Sequence, residues 1–146
     1  MRDIDKIILH CTGSVCTTNL HPQSIDLYHR SIGYDCIGYH FVITLNGDIY
    51  VGRAIEQEGA HCYGQNKNSI GIVYVGGLNE DKQFENTMNE DQTKSMIDLL
   101  HYLKQLYPHA TIHGHNEFAN KACPCFNVNE WLKDNNIEYL QNTDIA

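Results

Sequence analysis

The chain has 146 residues, with 10 Lys+Arg against 18 Asp+Glu for a formal net charge of -8, 42% hydrophobic residues and 19% charged ones. A length of that order holds one core and buries about two-thirds of its unfolded surface, so disulfide staples are not needed. The acidic balance and the lack of any Lys/Arg cluster argue against a nucleic-acid binder or an electrostatic membrane attachment, because both need a basic face.

The opening run MRDIDKIILHCTG has only Ile7 to Leu9 as an apolar stretch, too short for a signal h-region and far below the about 20 residues of a membrane span. Synthesis in the cytoplasm without a signal peptide is therefore expected. Free thiols are expected for the six cysteines (Cys11, Cys16, Cys36, Cys62, Cys123, Cys125), with one of them a candidate metal ligand. No repeat, low-complexity tract or linker divides residues 1–146, which reads as a single domain with a loose tail from Gln141 to Ala146.

Taken in chain order, Lys6 to His10 is a short apolar run before the Thr12-Gly13 breaker, which predicts a buried strand with His10 at its C-terminal end. Pro22 suits the first turn of a helix running to about Ile32, with Ile25, Tyr28 and Ile32 on one face and Gly33 as the stop. Tyr39 to Leu45 and Asp48 to Gly52 flank Asn46-Gly47, a hairpin signal because both turn residues accept positive φ. Ser69 to Val75 is nearly all apolar and predicts a central strand covered on both faces. Thr87 with Glu90 three later suggests a capping box, followed by a helix whose Met96, Leu100, Leu103 and Tyr107 face the core until Pro108. Ala110 to Gly114 reads as a strand and Val128 to Asn135 as a short helix carrying Trp131. That order predicts an α/β fold, a sheet with helices on its faces.

Nine histidines are available for chemistry, and spacing narrows the choice. His113 and His115 stand two apart on a predicted strand and would share a face, as paired metal ligands often do. Eight residues on, Cys123 lies in the loop HNEFANKACPC, and His10 at the end of another strand could complete a set of three. Three protein ligands with a fourth position open is a catalytic zinc arrangement; a structural site would take four, and Cys125 or Cys11 could supply the fourth. A Cys/His hydrolase built on Cys123 and His115 is also compatible with the spacing, whereas GxSxG, Walker, GxGxxG and HExxH motifs are all missing.

Four separated segments, IILHCTG, GYHFVITLNGDIYVGR, GAHCYGQNKNSIGIVYVGG and HGHNEFANKACPCF, in that order and spacing, resemble the zinc-dependent N-acetylmuramoyl-L-alanine amidases of the phage-lysozyme and peptidoglycan-recognition type over about residues 6–133. The resemblance implies a mixed sheet of about five to six strands, three or so flanking helices and one zinc ion in a surface groove. It also implies cleavage of the amide between the muramic acid lactyl group and L-alanine, in a phage or prophage endolysin that acts on the wall after release. By motif, His10, His115 and Cys123 would hold the metal, and Tyr39 and Lys121 would be the catalytic side chains. Tyr39 would orient or deprotonate the water, and Lys121 would stabilise the oxyanion. His61 and Asn68 would line the substrate groove with His29 near it, and His61 could assist the leaving amine. Peptidoglycan or muropeptides are the implied partners; a recycling amidase, a non-catalytic recognition module and a regulator that binds phage RNA polymerase are the rival functions. Cys125 departs from the family pattern and brings an alternative ligand or an oxidation-sensitive thiol pair into play. His21, His101 and His109 read as ordinary surface or helix residues, and His40 as facing the opposite side of its sheet from Tyr39.

Overall fold

The strand Lys6–Cys11, β1, is buried from Ile7 onward, and the rest of the sheet is laid down on both sides of it. A computed structural model describes residues 2–143. After β1 come β2 (Ser14–Val15), α1 (Pro22–Ser31), β3 (Phe41–Ile43), β4 (Ile49–Val51), β5 (Ser69–Tyr74), β6 (Gly77–Leu78), α2 (Glu90–Leu106), β7 (Thr111–Gly114) and α3 (Val128–Asp134). The main sheet has the order β4-β3-β5-β1-β7, and β2 pairs with β6 in a separate ribbon. Within the main sheet the β3–β4 pairing is antiparallel, and β3, β5, β1 and β7 run parallel, with His10 level with Val73 and Leu9 level with Gly114. Parallel strands bring their carboxyl ends to one edge of the sheet, where open α/β sheets bind ligands.

Strand alternation divides the core. Ile7, Leu9 and Cys11 of β1 and Ile70, Ile72 and Tyr74 of β5 face α2 and α3, packing on Met96, Leu100, Leu103, Trp131 and Leu132. On the opposite face Val42, Val73 and Val75 pack against Ile25 and Ile37. Continuous burial of Ser69–Tyr74 follows from this, since both faces are covered.

Several local expectations shift. In α1, Ile25 and His29 are the buried pair while Tyr28 and Ile32 are exposed, so the inward stripe falls on positions i and i+4 and carries a histidine. In the hairpin only Gly47 has positive φ, at 84°; Gly47 N–H donates to Thr44 O and Thr44 N–H to Asp48 O, which makes a three-residue loop closed by a left-handed glycine rather than a two-residue one. The N-cap of α2 is Asn89, bonded reciprocally with Gln92, and not Thr87 with Glu90; Thr87 Oγ1 instead accepts the Gly77 N–H at 2.8 Å. Gln141, expected in a loose tail, grips the edge of β7 by bonding both Ile112 N (2.7 Å) and Ile112 O. Of that tail, residues 144–146 lie outside the described residues.

Candidate active site

His10 ends the β1 face that looks toward α1, and it is almost wholly buried. Its Nδ1 lies 3.7 Å from Cys123 Sγ, and its ring centroid lies 4.7 Å from that of His115. His115 is not on a strand: β7 stops at Gly114, and a 3-10 turn (His115–Glu117) redirects the chain. His113 therefore does not share a face with His115; its ring bonds Thr111 Oγ1 and Glu117 Oε1 on the outside of the sheet. The loop carrying Cys123 is pinned at three points: Asn116 N–H donates to Cys123 O at 2.8 Å, Cys11 N–H to Cys123 Sγ at 3.2 Å, and Tyr74 O–H to Pro124 O at 2.7 Å.

One donor atom from each of His10, His115 and Cys123 falls within 4.8 Å of the others. Tetrahedral zinc with nitrogen at about 2.0–2.1 Å and sulfur at about 2.3 Å separates its donors by roughly 3.3–3.7 Å, so the His10–Cys123 spacing already matches and His115 needs only a small adjustment. The protonation states fit as well. Burial, with the neighbouring His61, His115 and Lys121 adding to it, holds the His10 imidazole well below its usual range; burial and Lys121 do the same, less strongly, to His115. The Cys123 thiol is lowered first by a hydrogen bond from the Cys11 side chain, against burial. Neutral imidazoles and an easily ionised thiol are what a cation in this position requires. Cys125 is outside the group: its Sγ contacts Cys11 Sγ and Gly77 O.

Behind His10 stands a buried imidazole. His61 Nδ1 is 2.8 Å from His10 Nε2, and His61 Nε2 is 3.2 Å from Ser69 Oγ. With His10 Nδ1 turned to the ligand group, Nε2–H of His10 donates to His61, whose own Nε2–H goes to Ser69; the network assigns these tautomers. Both nitrogens of His61 are thus engaged, which leaves none for a leaving amine. His40 backs this arrangement from below, accepting the Gly71 N–H at Nδ1 (3.0 Å) and donating from Nε2 to Gln57 O (2.8 Å).

The other sequence candidates divide. Tyr39 is half-buried with its ring 5.2 Å from that of His10, and burial first, then the Cys123 and Cys11 sulfurs, pushes its phenol up. A phenol so held is a hydrogen-bond donor at neutral pH rather than a base. Lys121 is exposed and lines a cleft of about 470 Å³ together with Tyr34, His61, Cys62, Asn66 and His115. His29 reaches the group only through Tyr39, 5.4 Å away, and its Nδ1 accepts the Gly38 N–H. Asn68 is not brought to the cleft; its side chain donates to Asp3 O beside a separate hollow lined by Arg2, Ile4 and Tyr107. Asn66 is the residue that shapes the segment, its Oδ1 accepting from both His61 N and Cys62 N at 2.9 Å. Sequence reasoning missed His61 as a partner of His10, and one signal was available: Gly71, lone in an apolar strand, marks a close approach, and a Cβ there would meet the His61 ring at 2.5 Å.

Residues 1–126 match the family described as N-acetylmuramoyl-L-alanine amidase. The chain belongs to that family. Among relatives, the amidase is 34% identical to the endolysin of Escherichia phage T7 over 91% of its own length and 88% of the relative's. It is also 34% identical to peptidoglycan-recognition protein SC1a/b of Drosophila simulans, over 81% and 65% of the two chains. In three dimensions it superposes on the N-acetylmuramoyl-L-alanine amidase LysC of Clostridium intestinale with a TM-score of 0.79 and 30% identity, covering 93% and 87% of the two chains. Drosophila PGRP-LB shares the fold at TM-score 0.72 and 24% identity.

Proposed function

We propose that the amidase hydrolyses the amide between the lactyl group of N-acetylmuramic acid and L-alanine in peptidoglycan, with one zinc ion held by His10, His115 and Cys123. The observation that carries this reading is the convergence of those three donors beside Tyr39 and Lys121, in a chain of this family. Zinc bound there supplies Lewis acidity, polarising the scissile carbonyl and letting water ionise near pH 7 rather than at about 15.7.

The chain's own groups do the rest. Lys121, two residues before Cys123 and on the wall of the cleft, donates its ammonium protons to the oxygen that gains charge as the amide carbon becomes tetrahedral. Tyr39, protonated and packed against His10, donates its O–H to the attacking water or the substrate carbonyl and so fixes their approach. His61 holds the His10 ring in line through Nδ1. Tyr63, fully exposed, and Tyr34, 39% exposed, at the rim of the same cleft, offer faces for the sugar or stem peptide.

Similarity to phage endolysins over nearly the whole chain supports an endolysin that acts on the wall. The deciding experiment compares wild type with Cys123→Ala for metal content and cleavage of purified peptidoglycan, with product identification. About one zinc per chain and new L-alanine amines without new reducing sugar, both lost in the variant, are the expected results. Zinc without cleavage of polymer or soluble muropeptide would make the chain a recognition module instead, and cleavage of soluble fragments alone would make it a recycling enzyme.

A further inference from the structure

Three sulfurs meet beside the ligand group, and one of them belongs to it. Cys11 follows His10 at the end of β1, and Cys125 comes two residues after Cys123 on the loop from β7 to α3. Cys125 Sγ lies 3.7 Å from Cys11 Sγ and 3.4 Å from Gly77 O. The backbone is arranged around this contact. Cys125 has φ of +76°, a left-handed conformation that a residue with a Cβ rarely adopts, and its N–H is tied to Ala122 O at 2.6 Å. At Gly77 any Cβ would come within 2.5 Å of Cys11 Sγ and 3.6 Å of Cys125 Sγ, so the absent side chain makes room for the pair.

Cys123 also touches the Cys11 side chain, but its sulfur takes the Cys11 N–H and faces His10 Nδ1 within the ligand group, while the Cys11 and Cys125 sulfurs lie 3.7 Å apart outside that group. Closing 3.7 Å to a disulfide bond of about 2.05 Å needs a sulfur movement of roughly 1.7 Å, within reach of χ1 rotations. Cys125 is the more exposed partner and gives an oxidant its entry; Cys11 is buried and resolves.

We propose that Cys11 and Cys125 form a redox modification site, a thiol pair that closes to a disulfide in oxidising surroundings and clamps the end of β1 to the loop that carries Cys123. The step breaks two S–H bonds and makes one S–S bond. Two electrons and two protons pass to the oxidant, either a small disulfide, which becomes two thiols, or hydrogen peroxide, which becomes two waters. The crosslink joins positions 114 apart, so it constrains nearly the whole unfolded chain. It also ties the segment of His10 to that of Cys123, and metal loss, which requires those segments to separate, becomes slower. An enzyme that leaves a reducing compartment would thereby gain a more durable ligand group.

The test uses the zinc-loaded protein, treated with oxidised glutathione and separately with hydrogen peroxide. Expected are a fall from six titratable thiols in the unfolded protein to four, a Cys11–Cys125 crosslink in the peptide map, a melting point raised by roughly 10 °C, and zinc release to a chelator slowed several-fold. Cys125→Ser should keep its remaining five thiols and show neither shift, with Cys11→Ser as a second variant. A crosslink through Cys123, six thiols retained under both oxidants, or unchanged zinc release from the crosslinked protein would overturn the proposal. None of these readouts needs peptidoglycan, and thiol count, map and melting point need no metal, so failure of amide hydrolysis and failure of the clamp are read separately.

Discussion

His61 Nδ1 stands 2.8 Å from His10 Nε2, and the missing side chain of Gly71 is what lets the His61 ring lie there. A ligand histidine whose second nitrogen is engaged is fixed in tautomer and orientation, and loss of such a partner typically weakens metal binding by about 10- to 100-fold. His61→Ala is therefore expected to lose zinc affinity by about that factor, measured by competition with a chromogenic chelator. Gly71→Ala should act in the same direction by displacing the ring. Wild-type affinity in both variants would refute the positioning role.

Lys121 lines the cleft beside His115, and Tyr39 packs on the His10 ring. Substituting them should separate binding from chemistry. Lys121→Ala is expected to lower kcat by about 10²–10³ while zinc content and KM change little, because the ammonium acts on charge that develops in the transition state. Tyr39→Phe keeps the ring packing against His10 and removes only the O–H, and a similar selective loss in kcat is expected. If either variant loses zinc in proportion to activity, its role is structural instead.

Burial pushes the His40 imidazole down to about 4, with Arg2 and Arg53 adding to the effect and the Gln57 carbonyl opposing it. The unfolded chain protonates this group near pH 6.5 and the folded one does not, so the unfolded state gains protons first as the pH falls. The stability that His40 contributes is thus fully present above pH 6.5, declines between about 6.5 and 4, and is gone below that. At about 1.4 kcal/mol per unit, the loss by pH 4.5 from this one residue is about 2–3 kcal/mol. Urea unfolding at pH 7 and pH 4.5 measures it. His40→Gln, which can still accept from Gly71 N and donate to Gln57 O, should flatten the slope; an unaltered slope would place the acid sensitivity elsewhere.

The parts of the fold legible in sequence are those where one local signal acts alone. β1, β5, the stripe on α2 and the turn at Gly47 each follow from hydrophobic period or a backbone requirement, whereas the grouping of His10, His115 and Cys123 came from the family motifs, since the spacing argument placed His115 on a strand that ends at Gly114. What was not legible depends on distant partners. Asn89 rather than Thr87 caps α2 because Thr87 is drawn to Gly77 N, ten residues away in sequence. His29 faces inward in place of Tyr28 because Gly38 N and Tyr39 wait for it across the site. The contact of His61 with His10 was not legible because only the folded register places Gly71 and Ser69 beneath its ring.

The net charge of -8 makes the approach to an anionic wall a repulsive encounter, and Lys121 is the cation that the cleft offers against it. Repulsion between charges spread over the protein surface and the polymer reaches about 30 Å at 0.01 M salt but only about 8 Å at 0.15 M. The attraction of Lys121 for a bound substrate acts at contact distance and is screened far less. Raising salt from a low starting level should therefore speed the clearing of peptidoglycan suspensions several-fold before reaching a plateau, the reverse of the usual behaviour of a cationic lytic protein. A short soluble muropeptide, which carries few charges, should show a much flatter response. If clearing falls monotonically from the lowest salt, the productive encounter is governed by local attraction in the cleft, and the overall charge of the chain is irrelevant to it.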